Sequence, residues 1–446
     1  MLDSGSVEWM ARVLRSLPTS EEIEHRLLER RLNEWMIKPD YEGYGLANLV
    51  SSVIRCFGCK GLRHTPVPEA PLNGYLEGAE NVILLLVDGL SYYQIKGFVD
   101  RYLKDLDPLI MPLTSTFPST TTTALTTLNT GLTPLEHGII GYTMYLKEIG
   151  VVLSLTNFAP SAAPESTSLL QAGLDPSSFL NVESIHTEVK RSGARPIIVT
   201  RRLYRESPFT IMLGADAEIE TYVSTSDLFI KLRKIVEQSK DRLFLFPYWD
   251  GFDISAHIYG PESEESEAEL EAFFSSLKSN LIDKMDPSAA RKTAMLVLSD
   301  HGQVTLAADE VLMVSDHPTL LNALHIPPTG DSRAACLYIK PDMREEVFRY
   351  VEQHLANLFV VYDVRTLIKE GIFGLGEVKP NLFDRTGDLI LLPKRNGAVA
   401  YNYRPRSRGF ELRGGHGGLH PREVLIPLLC LNLGRVGRVT CLLESL

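Results

Sequence analysis

Residues 81–90 read NVILLLVDGL, and this stretch decides the fold. An apolar run of this length, stopped at once by Asp88-Gly89, suits a strand buried on both faces. Three further runs resemble it: PIIVT at 196–200, LFLF at 243–246 and AMLVLS at 294–299. Helical patterns such as residues 266–284 lie between them. Alternating buried strand and helix predicts an α/β fold built on a largely parallel sheet. A last candidate strand, DLILL, stands at 388–392.

Ligands of such sheets gather beyond the carboxyl ends of the strands. The polar residues that stop the apolar runs are therefore the chemical candidates. The first run ends at Asp88. The third leads into PYWDGFDISAHIYGP (247–261), with Asp250, Asp253 and His257. The fourth ends at Asp300-His301-Gly302, where glycine permits a turn. Near the C-terminus, RGGHGGLHP (413–421) supplies His416 among glycines. Asp253 and His257 share one face of a helical turn. Each piece alone has a plainer reading, as a turn or a solvated face. Their conjunction at strand ends points to a divalent metal of the zinc kind, held by mixed carboxylate and imidazole ligands.

A hydroxyl nucleophile is expected in TSTFPSTTTTALTTLNT (114–130). Pro118 and Ser119 precede a helix whose first turn presents threonines, and free N–H groups at a helix start bind phosphate. The pattern alone does not choose among Thr120, Thr121, Thr122 and Thr123.

The remaining chain sets limits. The formal charge of −11 argues against nucleic acid or an anionic membrane as partner, but not against a small anionic substrate beside bound cations. Five scattered cysteines (Cys56, Cys59, Cys336, Cys430, Cys441) do not form a disulfide framework. The N-terminus lacks the apolar core of a signal peptide, and no run reaches the about 18 apolar residues of a membrane span. A cytoplasmic protein is expected. Residues 1–75 are expected to form a helical extension, with an amphipathic pattern at 20–37 and a Pro- and Gly-rich linker at 65–78; residues 76–446 form the catalytic domain.

Taken in order, VDGL (87–90), FPSTTTTALTTLNTGLTPLEHGI (117–139), FDISAHIYGP (252–261), LSDHGQ (298–303) and HGGLHP (416–421) resemble the alkaline-phosphatase superfamily. The likeness is to its type I phosphodiesterase/nucleotide pyrophosphatase branch, and the tail is also similar to PglZ-type members. The resemblance implies a three-layer α/β/α core with inserted cap elements, expected within 303–405. It implies two divalent metal ions, zinc or manganese. Asp88, Asp300 and His301 hold one, with the nucleophile, and Asp253, His257 and His416 hold the other. Register within the family pattern selects Asp253 over Asp250. It also selects Thr121, nine residues before the Thr130-Gly131 pair. The implied activity is hydrolysis of a phosphodiester or pyrophosphate bond in a small phosphorylated substrate, through a covalent phospho-threonine. Two positions depart from the branch: Thr122 stands where it has Phe, and Ala124 where an amide donor is expected. The alternatives are a phosphomonoesterase or phosphonate hydrolase, with Arg333 as an added cation, or a weakly catalytic PglZ-like metal-binding protein. Cys56/Cys59, His137 and Asp316-His317 read as structural.

Overall fold

The computed structural model describes residues 18–404 and 411–435. Seven strands form the central sheet: β1 (Asn81–Val87), β2 (Leu109–Thr114), β3 (Arg195–Arg201), β4 (Glu218–Tyr222), β5 (Leu243–Trp249), β6 (Thr293–Leu298) and β7 (Leu425–Asn432). Their order is β2-β7-β6-β1-β5-β3-β4. β7 runs antiparallel to both its neighbours, and the other pairings are parallel.

β1 shows why an uninterrupted apolar run was needed. Val82, Leu84 and Leu86 point into one core cluster, and Ile83, Leu85 and Val87 into a second on the opposite face. Successive side chains of a strand alternate between faces, so a central strand covered on both sides has no polar position to offer. The second cluster is closed by residues of the helices Tyr92–Tyr102, Thr225–Gln238 and Glu264–Ser276. The first is closed by those of Leu46–Cys56, Ile185–Arg191, Pro208–Leu213 and α1 (Thr121–Thr130). This is the expected layered α/β architecture.

Register places the chemistry. Val87 lies opposite Trp249, and Leu86 opposite Leu298. The ends of β1, β5 and β6 are therefore level, and the residues that follow them emerge side by side. After β5 the chain turns directly into α2 (Gly251–Tyr259).

DLILL is a strand outside the central sheet, and two other expectations are corrected. Leu389–Pro393 sits in a separate, wholly antiparallel seven-stranded sheet with strands from residues 143–160 and 329–363. Apolarity reports burial, not which sheet does the burying. Residues 65–78 hold a helix, Glu69–Leu76, inside the stretch read as a linker. The amphipathic helix at 20–37 stops at Glu29, and its start is capped by Thr19 and Glu22. Ile23, Leu27, Leu49 and Val53 belong to the same core cluster as β1. The segment covers the β2 edge, where Gly45 bridges Thr114, so this edge is not left open for pairing with another chain. No helix among the described residues is long and apolar enough to cross a membrane.

Candidate active site

α1 buries every residue from Thr122 to Thr130. A threonine-rich helix tolerates this because Thr126 and Thr130 donate their hydroxyls to the carbonyls of Thr122 and Thr126, both at 2.7 Å. Gly131, at φ 69°, ends it. The first intrahelical backbone bond here is Ala124 N–H to Thr120 C=O. The N–H groups of Thr121, Thr122 and Thr123 thus have no helical acceptor.

The four threonines differ. Thr121 Oγ1 lies 3.0 Å from His301 Nε2. Thr120 donates to Asp331 Oδ1 at 2.9 Å, and Thr123 Oγ1 accepts from the Gly141 N–H at 3.1 Å. Thr122 Oγ1 is buried with no hydrogen-bond partner, and Thr122 lines the cavity described below.

All six expected ligand residues converge around Thr121. Asp253, His257 and His416 bring one ligand atom each within 4.8 Å of one another, as do Asp88, Asp253 and His301. Asp253 therefore stands between the two groups. Asp300 adjoins the second: its Oδ2 is 3.4 Å from His301 Nε2, and its Oδ1 accepts the N–H groups of Gly89 and His301. His301 Nε2 is also 3.4 Å from Asp88 Oδ1, and His257 Nε2 is 3.4 Å from Asp253 Oδ1.

The three imidazoles are oriented alike. Nδ1 of His257 faces the carbonyl of Gly414 at 2.9 Å, that of His301 faces Gly302 at 3.1 Å, and that of His416 faces Ser119 at 3.2 Å. A carbonyl can only accept, so Nδ1 carries the proton and Nε2 is left as a lone-pair donor toward the centre. The His257 and His416 Nε2 atoms lie 3.2 Å apart. Asp88 Oδ1 and Asp300 Oδ2 are buried without a hydrogen-bond donor. Burial, and then the neighbouring Asp300 and Asp253 carboxylates, push Asp88 well above the usual carboxylate range. Burial raises Asp253 as well. Burial, with His301 and His257 alongside, pushes His416 far down. Orphaned carboxylate oxygens facing convergent imidazole lone pairs form a donor set that fits divalent cations.

Glycines hold the loops at the distances this requires. Gly302 has no left-handed backbone. Its need is close approach, since a Cβ there would stand 2.0 Å from the Arg422 carbonyl. Gly417, at φ 113°, lets the His416 loop pass Asp331, whose Cβ would meet a side chain at 2.7 Å.

Asp250 is outside the set, paired with Arg201 at 2.5 Å and with the Tyr204 hydroxyl at 2.7 Å. Arg333 is not a substrate cation. It is wholly buried and bidentate with Glu423 at 2.8 and 2.9 Å. His137 anchors a turn, as expected, between the Thr127 hydroxyl and the Ile139 N–H. His317 bonds the Tyr350 hydroxyl instead of a ligand set. Cys56 and Cys59 are free thiols.

Four neighbours were not anticipated. The Tyr248 hydroxyl donates to Asp88, and the Gln303 amide to Asp253. Glu423 accepts the Gly418 N–H at 2.8 Å, which fixes the His416 loop. Asp331 accepts from Thr120 and from the Tyr142 N–H. Tyr248 sits on the apolar run and Gln303 follows Asp300-His301-Gly302, so their positions were visible in the sequence. Glu423 follows the HGGLHP motif by two residues and caps its turn, whereas Asp331 comes from a remote segment with no local signal.

The site opens into a cavity of about 710 Å³. Thr121, Asp88, Asp253, His257 and His416 line it together.

No curated protein matches the chain by sequence. Murine ectonucleotide pyrophosphatase/phosphodiesterase 5 has a similar structure, with a TM-score of 0.58 at 19% identity over 78% of this chain and 87% of that one. Its inactive variant has been solved in complex with AMP. Phosphonoacetate hydrolase from Sinorhizobium meliloti 1021 matches with a TM-score of 0.58 at 18% identity, over 83% of this chain and 92% of that one. These likenesses establish an alkaline-phosphatase-like fold. The model of the type I phosphodiesterase/nucleotide pyrophosphatase family matches residues 82–419, which is most of the chain and takes in the ends of β1, β5 and β6 and the His416 loop, and the chain is a hydrolase belonging to that family.

Proposed function

We propose that this chain hydrolyses phosphodiester or pyrophosphate bonds through a covalent phosphoryl group on Thr121. The observation that carries the reading is the Thr121 hydroxyl, on the first turn of α1, hydrogen-bonded to His301 at the centre of the six ligand residues. Residues of this kind suit two divalent cations, zinc or manganese, with Asp88, Asp300 and His301 toward one and Asp253, His257 and His416 toward the other. Such ions supply positive charge to the phosphoryl oxygens and to the attacking and departing oxygens.

The chain's own groups do the rest. The unpaired N–H groups of the first turn of α1 face a phosphoryl oxygen, where the helix dipole favours negative charge. The unpartnered Thr122 hydroxyl is a further donor at the position where the family resemblance has Phe. Thr121 Oγ1 attacks phosphorus, an O–P bond forms, and the bond to the ester oxygen breaks. The alcohol leaves with a proton. Water then attacks the phosphorus still bearing the other substituent, the remaining monoester departs, and the Thr121 hydroxyl is restored. Asp88, buried and short of donors, is held in place by Tyr248.

The test is turnover of bis(4-nitrophenyl) phosphate with added zinc or manganese, compared with Thr121→Ala. The variant should lose on the order of 10³-fold or more in kcat, as expected when a covalent nucleophile is removed. Thr123→Ala, whose hydroxyl is committed to Gly141, should lose less than about tenfold. Acid quench during turnover should trap a 4-nitrophenyl phosphoryl group on Thr121 by mass spectrometry, since only one nitrophenolate departs before water attacks. Unchanged turnover in Thr121→Ala would end the covalent reading.

A further inference from the structure

The cavity that receives the site is a groove with a definite grain. Thr121, Leu125 and Asn129 line it at positions i, i+4 and i+8 of α1. One wall thus follows the helix for about 12 Å from the nucleophile, at 1.5 Å per residue. The sheet forms the floor through Ile198 and Thr200 of β3 and Phe246 and Tyr248 of β5. The helix Pro208–Leu213 closes it with Phe209 and Leu213.

The composition changes along that length. The charged groups lining the cavity are the ligand carboxylates and imidazoles together with Asp331, all beside the Thr121 end. The wall beyond is Leu125, Ile198, Phe209, Leu213 and Phe246. Each of these keeps 3–8% of its surface exposed, whereas most of the core is sealed. The polar groups interleaved there (Thr200, Ser207, Thr210, Asn129) are uncharged. Leu412 also lines the cavity and leaves 42% of its surface in water.

We infer that one ester substituent of the substrate is an uncharged, largely apolar alkyl or aryl group, bound along this groove. The inference rests on the proposed diesterase reading and narrows it. A second phosphate or a carboxylate placed against this wall would give up its water with no lysine or arginine facing it among the described lining residues. An apolar substituent gains by leaving water. The site end is acidic as well as cation-binding, which favours a single-charged diester at the phosphoryl position over a double-charged monoester.

The experiment uses the full chain with zinc and a symmetric series, so that it does not matter which substituent enters the groove. Dimethyl, dibutyl and dihexyl phosphate are titrated as competitors of bis(4-nitrophenyl) phosphate hydrolysis, and their binding is measured independently by calorimetry. AMP and inorganic pyrophosphate serve as charged comparators. The expected result is a dissociation constant that falls by up to about fourfold per methylene, the factor that corresponds to about 0.8 kcal/mol per buried CH₂. Dihexyl phosphate should then bind more tightly than AMP or pyrophosphate. Leu213→Asn should flatten the series. If that variant does not fold, the series on the unaltered chain decides alone. A flat series, or AMP or pyrophosphate binding more tightly than dihexyl phosphate, overturns the inference while leaving diester hydrolysis standing. No diester hydrolysis with the binding slope intact overturns the catalytic reading and leaves the groove's preference.

Discussion

At the scale of single residues, Asp331 shows how a side chain from another sheet enters the site. It ends the short strand Thr329–Asp331 and accepts the Thr120 hydroxyl directly before the nucleophile. Burial pushes its carboxyl up to about 6, against smaller lowering by Thr120, the Tyr142 N–H and His301. A carboxyl raised in the folded state binds its proton more tightly there than in the unfolded chain. Its contribution to stability is therefore greatest below about pH 4 and is lost as pH rises toward 6. Asp331→Asn removes this dependence. The variant's stability advantage over the parent should grow by on the order of 1–2 kcal/mol between pH 4 and 6 and then level off. Urea midpoints of the metal-free proteins across that range measure it, and a constant difference would refute it. Run ends and glycine-flanked motifs pointed to Asp88, Asp253, His257, Asp300, His301 and His416 with Asp250 beside them, and only the family resemblance chose Asp253 over Asp250. Asp331 could not be found this way, since no local pattern ties residue 331 to residue 120.

At the scale of elements, the loop that carries His416 depends on a buried ion pair. Arg333 and Glu423 are both sealed from water, and Glu423 also accepts the N–H groups of Gly418 and His420. Removing either partner alone leaves an uncompensated charge in the interior, a loss of about 3–5 kcal/mol. Arg333→Met and Glu423→Gln should each destabilise the chain by that order, and Glu423→Gln should in addition weaken metal binding by releasing the His416 loop. The double variant should recover much of the stability but not the metal affinity. A chemical-denaturation double-mutant cycle with metal content read alongside would show this, and additive losses would contradict it. This pair also marks where sequence reading stopped. Arg333 invited a role as substrate cation because an arginine in a chain of unknown contacts is free by default. Its partner lies 90 residues away. The central parallel strands were legible because burial on both faces erases polar positions. β2, interrupted by Pro112, and β7, antiparallel at the end of the chain, carried no such pattern of alternation with helices.

At the scale of the whole molecule, the sheet gathers three carboxylates, Asp88, Asp253 and Asp300, at one point of a chain whose core is otherwise tightly closed. Burial raises both Asp88 and Asp253 above the usual carboxylate range; the Asp300 carboxylate adds to this at both, and Asp253 adds to it at Asp88. In the metal-free protein these groups oppose folding at neutral pH, and the opposition grows as pH rises through their raised pKa values. A cation that binds only the folded state offsets it by mass action, by about 2.7 kcal/mol when present at one hundred times its dissociation constant. Exhaustive chelation should therefore lower the melting temperature by several degrees, and zinc or manganese should restore it in proportion to the logarithm of free metal. Asp88→Asn separates the charge effect from a general loss of structure. Its amide oxygen can still accept from Tyr248, but the carboxylate charge is gone. The metal-free variant should melt at a higher temperature than the metal-free parent, and its gain on adding metal should be smaller. Differential scanning calorimetry on parent and variant, with and without metal, gives the four values required. A metal-free Asp88→Asn protein that melts below the parent would mean that this carboxylate stabilises the fold by itself. The clustered acids would then not be sites held at a cost to stability in order to bind cations.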